Sequence, residues 1–159
     1  MAETYTVERR AVIPAPPEAV HAALVDFHEW EHWSPWQDVD PEMEQTYAGP
    51  DAGVGAVMAW TGNRKAGAGR MEITGVDPSS VTIDLQFLKP FKAHNTTTFT
   101  LAPDGDGTEV TWTMVGPKTF MTKVMGIFTS MDKMVGPDFE KGLERLEAHV
   151  TARGRPPKG

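Results

Sequence analysis

The sequence predicts an α+β domain in which a curved antiparallel sheet grips a long C-terminal helix. Three observations carry this. Strand-like runs follow one another from residue 55 to residue 116, short turn-forming stretches separate them, and apolar residues at helical spacing recur from Phe120 to Val150. A further strand and a pair of short helices come first, so the plan reads strand, helix pair, meander, long helix.

The chain opens with alternation in TYTVERRAVIP (residues 4–14), a strand. In APPEAVHAALVDF (15–27) the spacing switches to three and four, with Val20, Leu24 and Phe27 on one face of a helix. A proline pair suits its start, because the first-turn N–H groups lack helical partners anyway. WSPWQDVDP (33–41) reads as a loop. The runs GAVMAWTGN, GRMEITGVD, SVTIDLQFLK, AHNTTTFTLA and TEVTWTMVG follow, separated by NRKAG, DPSS and PDGDG, which are short enough for hairpins. In these strands Val81, Ile83, Leu85 and Phe87 alternate with Thr82, Asp84 and Gln86, and Val110, Trp112 and Met114 with Glu109, Thr111 and Thr113. One face of the sheet is therefore wet and the other covered. The cover is the last helix, on which Phe120, Val124, Phe128, Met131, Val135, Phe139, Leu143, Leu146 and Val150 recur at helical spacing. Pro137 lies inside it and predicts a kink or break near Gly136. Residues 1–152 are expected to form one domain and residues 153–159 a flexible basic tail.

Composition narrows the functional classes. At 159 residues, with 40% hydrophobic and 23% charged, the chain fits one ordinary globular core. Its 22 acidic and 15 basic residues give a net charge of −7, which repels nucleic-acid phosphates and anionic membrane surfaces. The absence of cysteine rules out disulfides, thiol catalysis and Cys-type zinc sites. There is no run of 18 apolar residues, no membrane insertion is expected, and the reading is a soluble, cytoplasmic protein.

A family resemblance rests on APPEAV (15–20), WSPW (33–36), GVGAVMAWTGN (53–63), GAGRM (67–71), FLKPF (87–91), GTEVTWTM (107–114) and MDKMVGPDFEKGLERL (131–146). In their order and spacing the chain resembles, over about residues 4–150, the polyketide cyclase/dehydrase and lipid-transport proteins of the START-like helix-grip (SRPBCC) superfamily, related to the birch pollen allergen. The resemblance implies the helix-grip fold, with a short second helix near residues 27–33 closing one end and Trp30, Trp33 and Trp36 packing there. It leaves function open among lipid carriers, cyclases, co-chaperone-like modules and hormone receptors.

Several catalytic motifs fail on their own terms. His28-Glu29-Trp30-Glu31-His32 matches the His-Glu-x-x-His zinc-protease pattern, in which two histidines share a helix face and the glutamate serves as base. Here Glu31 occupies a central position, Pro35 stops the helix, and no third ligand follows, so no metal site is assigned. Serines 34, 79, 80 and 130 lie in no nucleophile elbow. The pairs Gly53/Gly55 and Gly67/Gly69 lack a dinucleotide loop's third glycine and read as strand ends and tight turns. Asp104 and Asp106 in PDGDG suit a hairpin better than a calcium loop. The tail RGRPP echoes an AT-hook but is single and attached to an acidic domain. No cofactor is implied.

What remains is the space between sheet and helix. By alternation Met58, Trp60, Met71, Phe87, Phe99, Trp112 and Met114 face inward, opposed by Phe128, Met131 and Met134. Methionine suits a promiscuous pocket and fills an ordinary core equally well. Asn95 and Thr97 share the inward parity and need partners, whether protein, water or ligand; His94 has the outward parity and receives no role. The expected function is binding of a small hydrophobic or amphipathic molecule. The alternatives are a cyclase-type enzyme acting on a carbonyl substrate, for which no catalytic residue is assigned, and a protein-interaction module marked by an exposed apolar patch.

Overall fold

The computed structural model of the protein describes residues 4–34, 42–63, 67–89, 93–117 and 131–154. Strand β1 (Thr4–Ile13) leads into helix α1 (Pro17–Leu24) and a 3-10 helix (Glu29–His32). Six strands follow: β2 (Glu44–Ala48), β3 (Val57–Thr61), β4 (Ala68–Asp77), β5 (Ser80–Lys89), β6 (Ala93–Asp104) and β7 (Gly107–Pro117), before helix α2 (Met131–Gly154). All seven strands form one antiparallel sheet in the order β1-β7-β6-β5-β4-β3-β2. The helices after β1 lead to β2 at the opposite edge of the sheet, and the meander then brings β7 back to pair with β1. The fold class is thus the α+β plan with a sheet gripping a terminal helix.

Register shifts between β4 and β5 at Ala68/Gly69 and at Ile73/Gly75 bend the sheet into its concave shape. α2 packs chiefly against β1 and also meets α1 and the 3-10 helix. Its buried face repeats at Phe139, Leu143, Leu146 and Val150, the spacing a helix needs to keep one stripe on the sheet. It runs through Pro137 without a break, and Pro137 sits on its exposed side. Of the expected kink or break, the break does not occur: the proline removes one N–H bond, while the packed stripe that continues past it holds the helical path. Gly136 beside it leaves room for an arginine. Arg9 points inward from β1, its Nε donates to Glu140 Oε2 at 3.1 Å, and a Cβ on Gly136 would lie 2.1 Å from its Nη2.

One end of the concave face is sealed by aromatic rings. Trp112 stacks on Phe139 with centroids 4.1 Å apart and planes at 7°, and Phe99, Trp30 and Trp33 surround it at 4.8, 6.4 and 5.8 Å. The two other indoles are anchored as they pack: Trp30 Nε1 donates to Leu24 O at 3.0 Å and Trp33 Nε1 to Ala23 O at 3.1 Å. Both bonds satisfy carbonyls at the end of α1, where the helix itself offers none.

Candidate functional site

Strand pairing sorts the concave face into rows running across the sheet. Trp112 pairs with Phe99 and Arg9, and Phe99 with Val81, forming the row under the aromatic seal. The adjacent row holds Val7, Met114, Thr97, Ile83 and Ile73. One step further toward the opposite end come Tyr5 and its partner Gly116 on β1 and β7, then Asn95, Leu85, Met71, Met58 and Tyr47. Beyond these stand Phe87, Gly69 and Trp60. Burial falls along this series. Val7, Ile83, Phe99 and Val81 are fully enclosed, whereas Leu85, Phe87 and Trp60, although inward-facing, are only half-buried. The far end is an apolar floor that α1, the 3-10 helix and the packed stripe of α2 do not seal.

Two glycines shape that floor. A Cβ on Gly116 would lie 2.7 Å from the Tyr5 hydroxyl, so the phenol lies across β7 and reaches toward Asn95 on β6. A Cβ on Gly69 would lie 2.6 Å from Trp60 Cη2 and 2.4 Å from the Gln86 carbonyl, so the indole crosses β4 to meet Phe87 edge-on at 5.7 Å. A glycine inside a strand often marks such a close approach. Gly53, Gly55 and Gly67 take positive φ, as turn residues should, and Gly69 stands at the start of β4, a strand end that also lies beneath a ring.

Polar atoms interrupt this surface at the β2 edge, where Gln45 Nε2 donates to Met58 Sδ at 3.8 Å, and in the middle of β6. Asn95 and Thr97 are 4% and 5% exposed, and Asn95 Oδ1 and Thr97 Oγ1 have no hydrogen-bond partner among the described residues. Burial raises the Tyr5 phenol above its ordinary pKa, and the adjacent Asn95 amide opposes that rise. Each unpartnered buried polar group costs about 1–3 kcal/mol, so a native protein keeps such groups for a reason.

The structure thus brings Met58, Trp60, Met71, Phe87, Asn95, Thr97 and Met114 onto one inward surface. Trp112 shares their parity, but its ring is packed on Phe139 and enclosed by the aromatic seal, which places it in the core and away from an open lining. Phe128 lies outside the described residues, as do the side chains of Met131 and Met134. Sequence reasoning missed Tyr5 and Leu85 as floor residues. The signal for Tyr5 was its alternation with Val7 together with a glycine, Gly116, late in the last strand. His94, on the convex face, bonds Asp84.

The zinc-protease pattern dissolves in the geometry. Its helix is a 3-10 helix of 4 residues, in which positions four apart are turned about 120° from each other. His28 stacks on Tyr47 at 4.0 Å and its Nδ1 lies 3.0 Å from Asp26 Oδ1, while His32 stacks on His149 at 5.1 Å. The would-be base Glu29 instead contacts His149 Nε2 at 3.0 Å. Among the described residues no group of three or more His, Asp or Glu comes together as metal ligands. His28 and Tyr47 border a separate cleft of about 110 Å³ at the β2 edge, where burial, followed by the charges of Glu31 and Asp26, pushes the Tyr47 phenol up to about 12. Among the described residues no helix is long and apolar enough to cross a membrane.

Comparison with solved structures finds the same fold. The Chromobacterium violaceum protein CV1439 matches with a TM-score of 0.66 at 20% identity, over 92% of this chain and 96% of that one. Ara h 8.0201 matches with a TM-score of 0.59 at 15% identity, over 94% and 99%. The Aha1 dimer of Colwellia psychrerythraea, solved in solution, matches with 0.59 at 18% identity, over 89% and 96%. A search of the curated proteins finds no significant match. The family model described as polyketide cyclase/dehydrase and lipid transport matches residues 4–151. With nearly the whole chain inside that match and the sheet-and-helix grip in place, the chain belongs to the polyketide cyclase/dehydrase and lipid-transport family of the START-like helix-grip (SRPBCC) superfamily.

Proposed function

We propose that the protein binds a small hydrophobic or amphipathic molecule against the half-buried end of the concave face. The observation that carries this reading is the pair Asn95 Oδ1 and Thr97 Oγ1, buried and unpartnered among the described residues, set beside apolar side chains that are themselves incompletely covered. An apolar floor with a few convergent polar groups is the ordinary make-up of a small-molecule site. The floor is Trp60, Met71, Leu85 and Phe87, with Met58 and Met114 beside it; the methionines adapt to ligands of varied shape. The lipid-transport element of the family description supports the same reading.

Titration with the neutral dye Nile red tests it. A saturable fluorescence rise at one dye per chain is expected, weakened at least about tenfold by Phe87→Ser or Leu85→Gln, since either change puts polar surface on the floor while the half-buried site spares the fold. A folded wild-type protein that gives no saturable signal would sink the proposal. Conversion of a bound carbonyl compound to a new product would move the reading to a cyclase.

A further inference from the structure

We propose, resting on the ligand-binding reading above, that the Tyr5–Asn95–Thr97 end of the floor selects molecules whose head group donates a hydrogen bond: a phenol or alcohol on an apolar ring body, in preference to an ether, ester or carboxylate. The unpartnered atom of Asn95 is its carbonyl oxygen, which can only accept. The other side of the amide is turned to the Tyr5 hydroxyl, which Gly116 lets reach across β7. With Oδ1 the unpartnered atom and the Tyr5 phenol on the neighbouring side, the amide's N–H group faces the phenol and Oδ1 is left for the ligand, and the lowering effect of Asn95 on the Tyr5 phenol agrees with that direction. An ether or carboxylate would bring lone pairs against lone pairs there. A hydroxyl would donate to Oδ1. The Thr97 hydroxyl stands two residues along β6 on the same face, about 7 Å away by strand rise, and can donate or accept as a second polar group requires. A site built around a substrate hydroxyl rejects the analogue lacking it far more strongly than an apolar pocket rejects a missing methylene, because the site's own polar atom is then stranded.

The test is competition against bound Nile red at pH 7 by 2-naphthol, its methyl ether 2-methoxynaphthalene, and 2-naphthoate. Wild-type protein is expected to bind the naphthol at least about tenfold more tightly than the ether or the carboxylate. Asn95→Leu, close in shape, is expected to erase that preference while binding the ether within about threefold of wild type. Thr97→Val supplies a second isosteric probe and should narrow the preference if Asn95→Leu does not fold. Equal or tighter binding of the ether or the naphthoate by wild-type protein would overturn the head-group rule and leave the carrier reading standing. Failure of folded wild-type protein to bind Nile red at all would remove both.

Discussion

Trp112→Ala separates the packed end of the concave face from the half-buried end. The ring is 1% exposed, lies parallel to Phe139 at 4.1 Å and touches Phe99, Trp30 and Trp33. Truncating a packed tryptophan costs about 3–5 kcal/mol through lost transfer energy and the void left behind. Each aromatic pair adds about 0.5–1.5 kcal/mol beyond area, and rings held between α2 and the sheet cannot collapse freely into the gap. The expected loss is therefore at the upper end, about 4–5 kcal/mol. With a urea m-value of about 2 kcal/mol/M, the unfolding midpoint followed by far-UV circular dichroism should fall by about 2 M. Because whole-domain stabilities run at about 5–15 kcal/mol, the variant should remain foldable in the cold. Nile red affinity, measured where the variant is folded, should change by less than about threefold, since Leu85, Phe87 and Trp60 of the floor lie at least two rows away. A loss below about 2 kcal/mol joined to a tenfold fall in dye affinity would refute the argument and make Trp112 a pocket wall.

Gly116→Ala should displace the Tyr5 phenol and weaken the naphthol preference at a cost near 1 kcal/mol, whereas Gly69→Ala, whose Cβ meets the Gln86 carbonyl at 2.4 Å, should cost more than about 2 kcal/mol; matched urea melts check the order. Pro137→Ala should raise stability by about 1–3 kcal/mol, because it restores one helix N–H at an exposed position and gives up no packing; a destabilised variant would contradict this. His149 has its pKa lowered, first by burial and then by His32, so the unfolded chain binds its proton more readily than the fold does. Its contribution is complete above the unfolded value near 6.5 and is lost as pH falls below it, so wild-type stability should drop between pH 7.5 and 5.5 by more than that of His149→Gln. Purified protein should contain no stoichiometric zinc, with His28→Ala unchanged in metal content by elemental analysis, because His28 and His32 are held against different rings.

The strands that alternate plainly were legible because one of their faces is buried and the other is not, and β1 and β3 to β7 fall where that pattern put them. β2 was not. Its residues Glu44–Ala48 alternate only between exposed and half-buried, and as an edge strand it carries on its inner face one polar side chain, Gln45, and one aromatic, Tyr47, and no aliphatic one. Parity told correctly which residues face inward, yet it is blind to position along the strand. Met71 and Trp112 have the same parity, but one lies in the row of Leu85 and Asn95 and the other beneath the aromatic seal, and only the pairing register and the place where α1 and the 3-10 helix settle distinguish them.

The polar end of the site was half legible for a related reason. Asn95 and Thr97 stood out because an amide and a hydroxyl interrupted an apolar series. Tyr5 did not, since its role depends on Gly116, more than a hundred residues away, whose missing side chain makes room for the phenol. Gly69 and Trp60 repeat the device on β4 and β3. In both cases an aromatic ring occupies the place that a side chain on the neighbouring strand's glycine would take. A sequence scan that pairs glycines within strands against aromatics at matching parity would have marked both of these close approaches.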